Sequence, residues 1–237
     1  MQYQLWASTT TQEAVNSAFT SAMGRVYLWM TGGLGLTTVV ALAVANNPGI
    51  QQALFSSNLT VFGLIGAQFG LVVVISLAIN KMAPSVALGL FFLYAGLTGL
   101  TLSTVFLVYD LGTIGLAFGA AASLFAGLSL VGMTTRKDLT RLGPVLLASL
   151  LGLIVASVAN WFLQSTLLEW VVSLAGVIIF AGLTVYDSKK IKEMTSDAVL
   201  QGDTLVVQRV GIMGALKLYL DFLNLFMFIL RLAGGRK

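Results

Sequence analysis

The sequence predicts an all-α integral membrane protein of seven transmembrane helices, with the C-terminal helix central in the bundle. Three observations carry this. Charged residues make up 9% of the 237-residue chain and 57% are hydrophobic, whereas a soluble domain carries roughly 25% charged residues. The apolar residues gather into seven stretches, each near the ~20 residues that cross a hydrocarbon core. The last stretch, Gly211 to Leu232, holds Lys217, Asp221 and Asn224 inside an otherwise apolar run. A charge at mid-bilayer costs between ~2.5 and ~17 kcal/mol. At helical spacing Gly214, Lys217, Asp221, Asn224 and Arg231 fall on one narrow stripe. Such a stripe must face other protein or a water-filled path.

The elements follow in order. Residues 1–25 read as a polar N-terminal tail rich in Ser, Thr and Gln, without the basic run and apolar core of a cleavable signal. Its end, AVNSAFTSAMGRVY, reads as a short interfacial helix. The first span runs from about Val26 to Ala45 and ends at the turn signal Asn46-Asn47-Pro48-Gly49. The second runs from about Leu59 to Ile79. Pro84 opens the third, which runs to about Tyr109, and Asp110-Leu111-Gly112 is a tight turn. The fourth covers about Thr113 to Met133. After the charged loop Thr134–Leu142, Pro144 begins a fifth span that ends near Leu163. The sixth covers about Leu167 to Asp187, and a polar loop, Ser188–Gln208, precedes the seventh. The transmembrane domain is thus residues 26–232, with a C-terminal tail of 233–237. Gly32, Gly33, Gly35, Gly63, Gly66 and Gly70 are spaced for close helix packing. The tetrapeptide Phe-Ala-Gly-Leu occurs at 125–128 and at 180–183, each time ahead of a basic pair. A match that short also arises by chance in such sequence.

Orientation follows from Lys and Arg. With a cytoplasmic N-terminus, the inner set is Arg25, Lys81, Arg136, Lys137, Arg141, Lys189, Lys190, Lys192 and Arg209, and the outer set is only Arg231, Arg236 and Lys237. This predicts a multi-pass protein of the cell inner (plasma) membrane, N-terminus cytoplasmic and C-terminus external. The net charge of +4 comes from these short loops, so it points to the lipid bilayer and not to nucleic acid. The chain has no Cys and no His, so thiol chemistry and His/Cys metal sites are excluded, and no cofactor or resident metal is expected. A pH response near neutrality then falls to carboxylates or lysine.

Seven of the nine acids lie in loops, tails or at an outer helix end and read as solvated charges, with Asp110 and Glu169 on the outer side, where position alone also fits the lining of an entrance. Asp221 is near the centre of its span. Asp187 closes the sixth, beside cytoplasmic lysines. Lys217 and Asp221 are four residues apart and are placed to pair along one helix face.

The segments GALKLYLDFLNLFMFILRLAG and FAGLTVYDSKKIK, with AQFGLVVVISLAINKMAPSVALGLFFLYAGLTGLTLS before them, resemble the Bax inhibitor-1, or transmembrane Bax-inhibitor-motif, family over nearly the whole chain. The resemblance implies a bundle in which six helices surround the C-terminal one. It also implies a pH-sensitive calcium leak gated by two aspartates on the sixth and seventh helices, here Asp187 and Asp221. Lys217, Asn224, Gln68 and Tyr186 would line or support the path, and calcium or another cation would pass weakly bound. Many family members carry Glu where this chain has Gln68, and Arg where it has Ala78. The first difference removes a titratable group, the second a partner for Asp187, for which Lys217 is a different counter-charge. The resemblance also offers a second role, as a modulator of a membrane-bound AAA protease engaged through the membrane and the N-terminal tail.

No enzymatic activity is expected. Tyr186-Asp187 fits half of an intramembrane aspartyl protease motif, but Leu218-Tyr219-Leu220 replaces the glycines required before the second Asp. A retinal-type pump would need Asp four residues before the lysine, and here Lys217 comes first.

Overall fold

The computed structural model of the protein describes residues 2–234; Arg236 and Lys237 of the charge count lie outside them. Among the described residues there are nine helices and no strand, and seven stretches are long and apolar enough to cross a membrane. Helix α1 (Gln2–Ala45) is continuous through Val26, where the sequence reading begins the first span. Ala22, Met23, Val26 and Met30 are all buried at three-to-four-residue spacing, so one packed face carries the helix across that boundary. A short helix, α2 (Pro48–Phe55), follows where only a turn is expected. The Asn47 side chain accepts from the Ile50 amide, and Pro48 opens the helix. Both are ordinary helix-start chemistry.

Helix α3 (Asn58–Ala78) is capped by Ser57. The third span is broken into α4 (Pro84–Leu102) and α5 (Val105–Val108), with Ser103 fully buried at the break. Asp110 caps α6 (Leu111–Thr134). Its carboxylate accepts from the Thr113 hydroxyl at 2.6 Å and the Thr113 amide at 2.8 Å. The Thr113 hydroxyl, then the amide, hold this carboxyl below the usual aspartate range. Its acid is thereby a structural cap. Helix α7 (Leu142–Leu163) ends at Gln164 in the left-handed region (φ 49°).

The inner ends of the last two helices correct the sequence reading. Helix α8 (Thr166–Leu200) runs thirteen residues past Asp187, and α9 (Thr204–Ala233) begins seven residues before Gly211. The expected loop Ser188–Gln208 is therefore almost all helix, turning only at Gln201-Gly202-Asp203, where Gly202 has φ +70° and Asp203 caps α9. The reason is an unbroken buried face on α8: Phe180, Thr184, Asp187, Ser188, Ile191, Thr195 and Ala198. Lys190, Glu193, Met194 and Asp197 point outward. The segment is amphipathic at a 3.6-residue period, which its high polarity conceals.

The chain forms two compact units. One takes in residues up to Leu102 together with Ile191–Leu216, the other Ser103–Lys190 and the residues from Lys217 on. In the first, α1 packs on α4, and α3 on α4. The Thr37 hydroxyl of α1 donates to the Ala95 carbonyl at 2.8 Å. A Cβ at Gly99 would lie 2.7 Å from the Thr37 carbonyl oxygen. Arg209, at the start of α9, donates to the Met82 carbonyl at 3.0 Å.

In the second unit α6 meets both α8 and α9. Phe125 and Phe118 of α6 make edge-on contacts with Phe222, while Phe180 of α8 stacks on Phe228. Both copies of the Phe-Ala-Gly-Leu tetrapeptide thus place their Phe against α9. At the α6–α8 crossing, the Ser129 and Ser188 hydroxyls are 3.0 Å apart. There a Cβ on Gly132 would run into the Val185 carbonyl and, at 2.8 Å, the Ser188 Cβ. By contrast nothing lies within 4 Å of the Cβ positions of Gly35, Gly63, Gly66 and Gly70, so the close packing expected there is found elsewhere. Helix α9 is the most buried span: 61% of its most apolar window is buried, against 39% or less in the others.

These contacts separate two glycines of one helix. Gly132→Leu is expected to destabilise the protein by about 1–3 kcal/mol, the range for overpacking. Gly127→Leu, on the open side of α6, should be near neutral. Thermal unfolding of the two variants in detergent checks this.

Candidate functional site

The continuation of α8 past Asp187 makes that residue part of a helix interior, 8% exposed. Lys217 lies within α9, as the sequence reading has it, with its side chain 42% exposed. The Lys217 ammonium donates to Asp187 Oδ1 at 2.9 Å, an ion pair between α8 and α9. The expected pairing of Lys217 with Asp221 along one helix is therefore not what forms. A lysine placed four residues before its acid is the weaker orientation for a pair within one helix, and Asp187 of α8 takes its ammonium.

Asp221 is 4% exposed, and its Oδ2 has no hydrogen-bond partner among the described residues. It lies within electrostatic reach of both Asp187 and Lys217. Burial of a carboxylate without donors requires a neutralising proton or a nearby cation. Asp187, Lys217, Asp221 and Asn224 together line a cavity of about 480 Å³. Its other wall is α7, through Leu150, Leu153, Ile154, Ser157 and Val158. The Asn224 amide donates back to the Leu220 carbonyl at 2.8 Å, which fixes it to its own helix.

A second cavity of about 610 Å³ adjoins the first. It is lined by Ser157, Asn160, Trp161, Gln164, Thr166, Glu169, Val172 and Arg231. Ser157 lines both, and the Arg231 guanidinium sits 5.3 Å from the centre of the Phe228 ring, which lines the first. Along α9 the two cavities follow Lys217, Leu220, Asp221, Asn224, Phe228 and Arg231. This is the stripe of the sequence reading without Gly214, which packs on Ile191, and with Leu220 and Phe228 added. From Lys217 to Arg231 it covers fourteen residues, about 21 Å at ~1.5 Å per residue. A hydrocarbon core is ~30 Å thick.

Two other expected residues stand apart from this cavity lining. Tyr186 packs on α7: a Cβ at Gly143 would lie 2.6 Å from its hydroxyl oxygen. Gln68, half-buried on α3, donates to the Leu64 carbonyl at 3.3 Å and to the Thr101 hydroxyl at 3.5 Å. Neither is among the residues lining the two cavities. The sequence reading missed Ser157, Asn160 and Phe228. Ser157 and Asn160 are polar residues three apart in a span whose other hydroxyl is Ser149, a signal available in the sequence. Phe228 continues the stripe by spacing but not by polarity.

A family profile described as "Inhibitor of apoptosis-promoting Bax1" matches residues 20–237. The chain belongs to the Bax inhibitor-1 family. It is 44% identical over 215 residues to the inner membrane protein YbhL of Escherichia coli K12, covering 91% of this chain and 92% of that one. An uncharacterised protein of Borreliella burgdorferi is 43% identical with the same coverage. Another, of Deinococcus radiodurans, is 37% identical over 95% of both chains. In this member of the Bax inhibitor-1 family, the pair of acids on α8 and α9 comes with an ammonium bound to one of them.

The ion pair makes a quantitative expectation. Lys217→Met alone leaves Asp187 buried without its cation, whereas Asp187→Asn with Lys217→Met removes both charges. A double-mutant cycle on thermal or denaturant unfolding should give a coupling of about 1 kcal/mol. The figure is held to that size because the Lys217 side chain is 42% exposed.

Proposed function

We propose that this multi-pass membrane protein is a pH-sensitive cation leak whose path follows the polar stripe of α9. One observation supports the reading above the others: two adjoining cavities track that stripe for about 21 Å, and Asp221, whose Oδ2 is buried without a donor, lines the first of them. A buried carboxylate of this kind is matched by a proton or by a cation, and exchange of one for the other couples pH to permeation. With the proton on Asp221 the remaining carboxylate of the first cavity is Asp187, which Lys217 already holds. When the proton leaves, Asp221 becomes a cation site, with Asp187 and Lys217 as the charged groups that face it from α8 and α9. The leak therefore rises with pH. Calcium is the ion that the family resemblance implies; the cavity chemistry supports a cation.

The proposed location is the cell inner membrane, where YbhL by its name resides, with a cytoplasmic N-terminus and an external C-terminus. The support is the distribution of Lys and Arg, nine on one side against three on the other.

Purified protein in liposomes tests the activity. Cation flux should increase from acidic to neutral pH, and Asp221→Asn should flatten this dependence while Asp187→Asn shifts it. Flux in both variants with the wild-type pH dependence would remove the two acids from the mechanism. For orientation, reporter fusions at the Gln201–Asp203 turn and after Gly234 should report opposite sides of the membrane. The same side for both would contradict seven spans.

A further inference from the structure

We propose that Lys217 sets which cation this path accepts: bound to Asp187, its ammonium leaves a single carboxylate available and selects monovalent over divalent ions. The inference rests on the cation-leak reading and narrows it away from calcium.

The argument is one of charge and ligand number. Two carboxylates, Asp187 and Asp221, and one ammonium, Lys217, line the same cavity. With all three ionised the cluster carries one net negative charge, which one monovalent cation neutralises. A divalent ion would leave it positive. Oxygen supply points the same way. A hard divalent cation such as calcium takes six to eight oxygens, several from carboxylates. Here Asp187 Oδ1 is already held at 2.9 Å by the lysine. The Asn224 nitrogen donates to the Leu220 carbonyl, so its oxygen is one neutral ligand and no more. Among the described residues no three acids gather closely enough to hold a metal. What remain are the carboxylate of Asp221, 4% exposed with its Oδ2 unpartnered, the second oxygen of Asp187 and the oxygen of Asn224, four side-chain oxygens where calcium takes six to eight. A divalent ion placed between the acids would have to displace the ammonium and then remain near it.

Lys217 is suited to this role. It lies one turn from Asp221 on the same helix, so it cannot leave the site. Its side chain is 42% exposed, and a lysine is a compact charge on a flexible stem. It acts as a tethered monovalent cation that competes with any ion entering the cavity.

The test compares potassium and calcium flux through purified protein in liposomes at neutral pH. Wild-type protein should pass potassium in preference to calcium. In Lys217→Met the calcium-to-potassium ratio should rise about tenfold or more, as loss of a like charge a few ångströms from the ion requires. Lys217→Arg should keep the wild-type ratio. So should Asp187→Asn with Lys217→Met, because it restores the net charge and leaves no unpaired acid at 187. This double variant and the wild type read the proposal even where Lys217→Met alone does not fold. Wild-type protein that passes calcium as readily as potassium overturns the inference. A double variant with a raised ratio, or a folded Lys217→Met with an unchanged one, overturns it too. In each of these cases the leak reading stands. No flux of either ion at any pH overturns the leak reading, and this inference with it.

Discussion

A charge in the hydrocarbon layer needs a partner, and the ion pair between Lys217 and Asp187 is where this chain meets that demand. The acid of the pair is in a helix interior because α8 continues beyond the apolar span that a hydropathy reading assigns it. Lys217 lies within the last span on either reading, and the extension of α8 places Asp187 inside a helix instead of at its end. The buried face of α8, from Phe180 through Thr184, Ser188 and Ile191 to Ala198, holds Asp187 facing the cavity it shares with α9. The pair satisfies two of the three charges. The third, Asp221, is left with an enclosed and unpartnered oxygen, and the functional proposals follow from that imbalance.

Aromatic contacts pack the apolar side of α9 in the second unit. Phe118 and Phe125 of α6 close on Phe222, and Phe180 of α8 stacks on Phe228. Gly132 lets α6 and α8 approach until a methyl group would collide with backbone. Aromatic and small residues thereby seal the apolar sides of α9, while α7 leaves a gap along its polar side, lined by Leu150, Leu153, Ser157 and Val158. In that gap polar side chains of α9 face an apolar wall.

Much of this was legible in the sequence. Composition and seven apolar stretches were enough for the fold class, because lipid tolerates few alternatives to helices. The stripe Lys217, Asp221, Asn224, Arg231 was visible from spacing alone, and those residues line the two cavities. Three things were not legible. Pairing was one: spacing within α9 pointed Lys217 at Asp221, and only the juxtaposition of two helices offers it Asp187. The extent of the last two helices was another. Polarity over 188–208 resembled a loop, although Ser188, Ile191, Thr195 and Ala198 keep a helical period with small or hydroxylated residues in place of leucines. The third was the wall of the two cavities. It comes from α7, whose Ser157 and Asn160 carry no charge to draw attention. The glycines misled in a related way. Regular spacing marked Gly63, Gly66 and Gly70, but close approach occurs at Gly99 and Gly132, where a neighbouring backbone decides it.

The central claim is that one face of α9 lines an aqueous path while the others are sealed. The absence of cysteine from the chain allows a direct measurement: single cysteines along α9, labelled by a small charged thiol reagent that does not enter lipid. Labelling is predicted for cysteines replacing Leu220, Asn224 and Phe228, which line the cavity. None is predicted at Leu218 or Leu225, both fully buried on other faces. Protection at all three cavity positions, or labelling that ignores the face of the helix, would contradict the account.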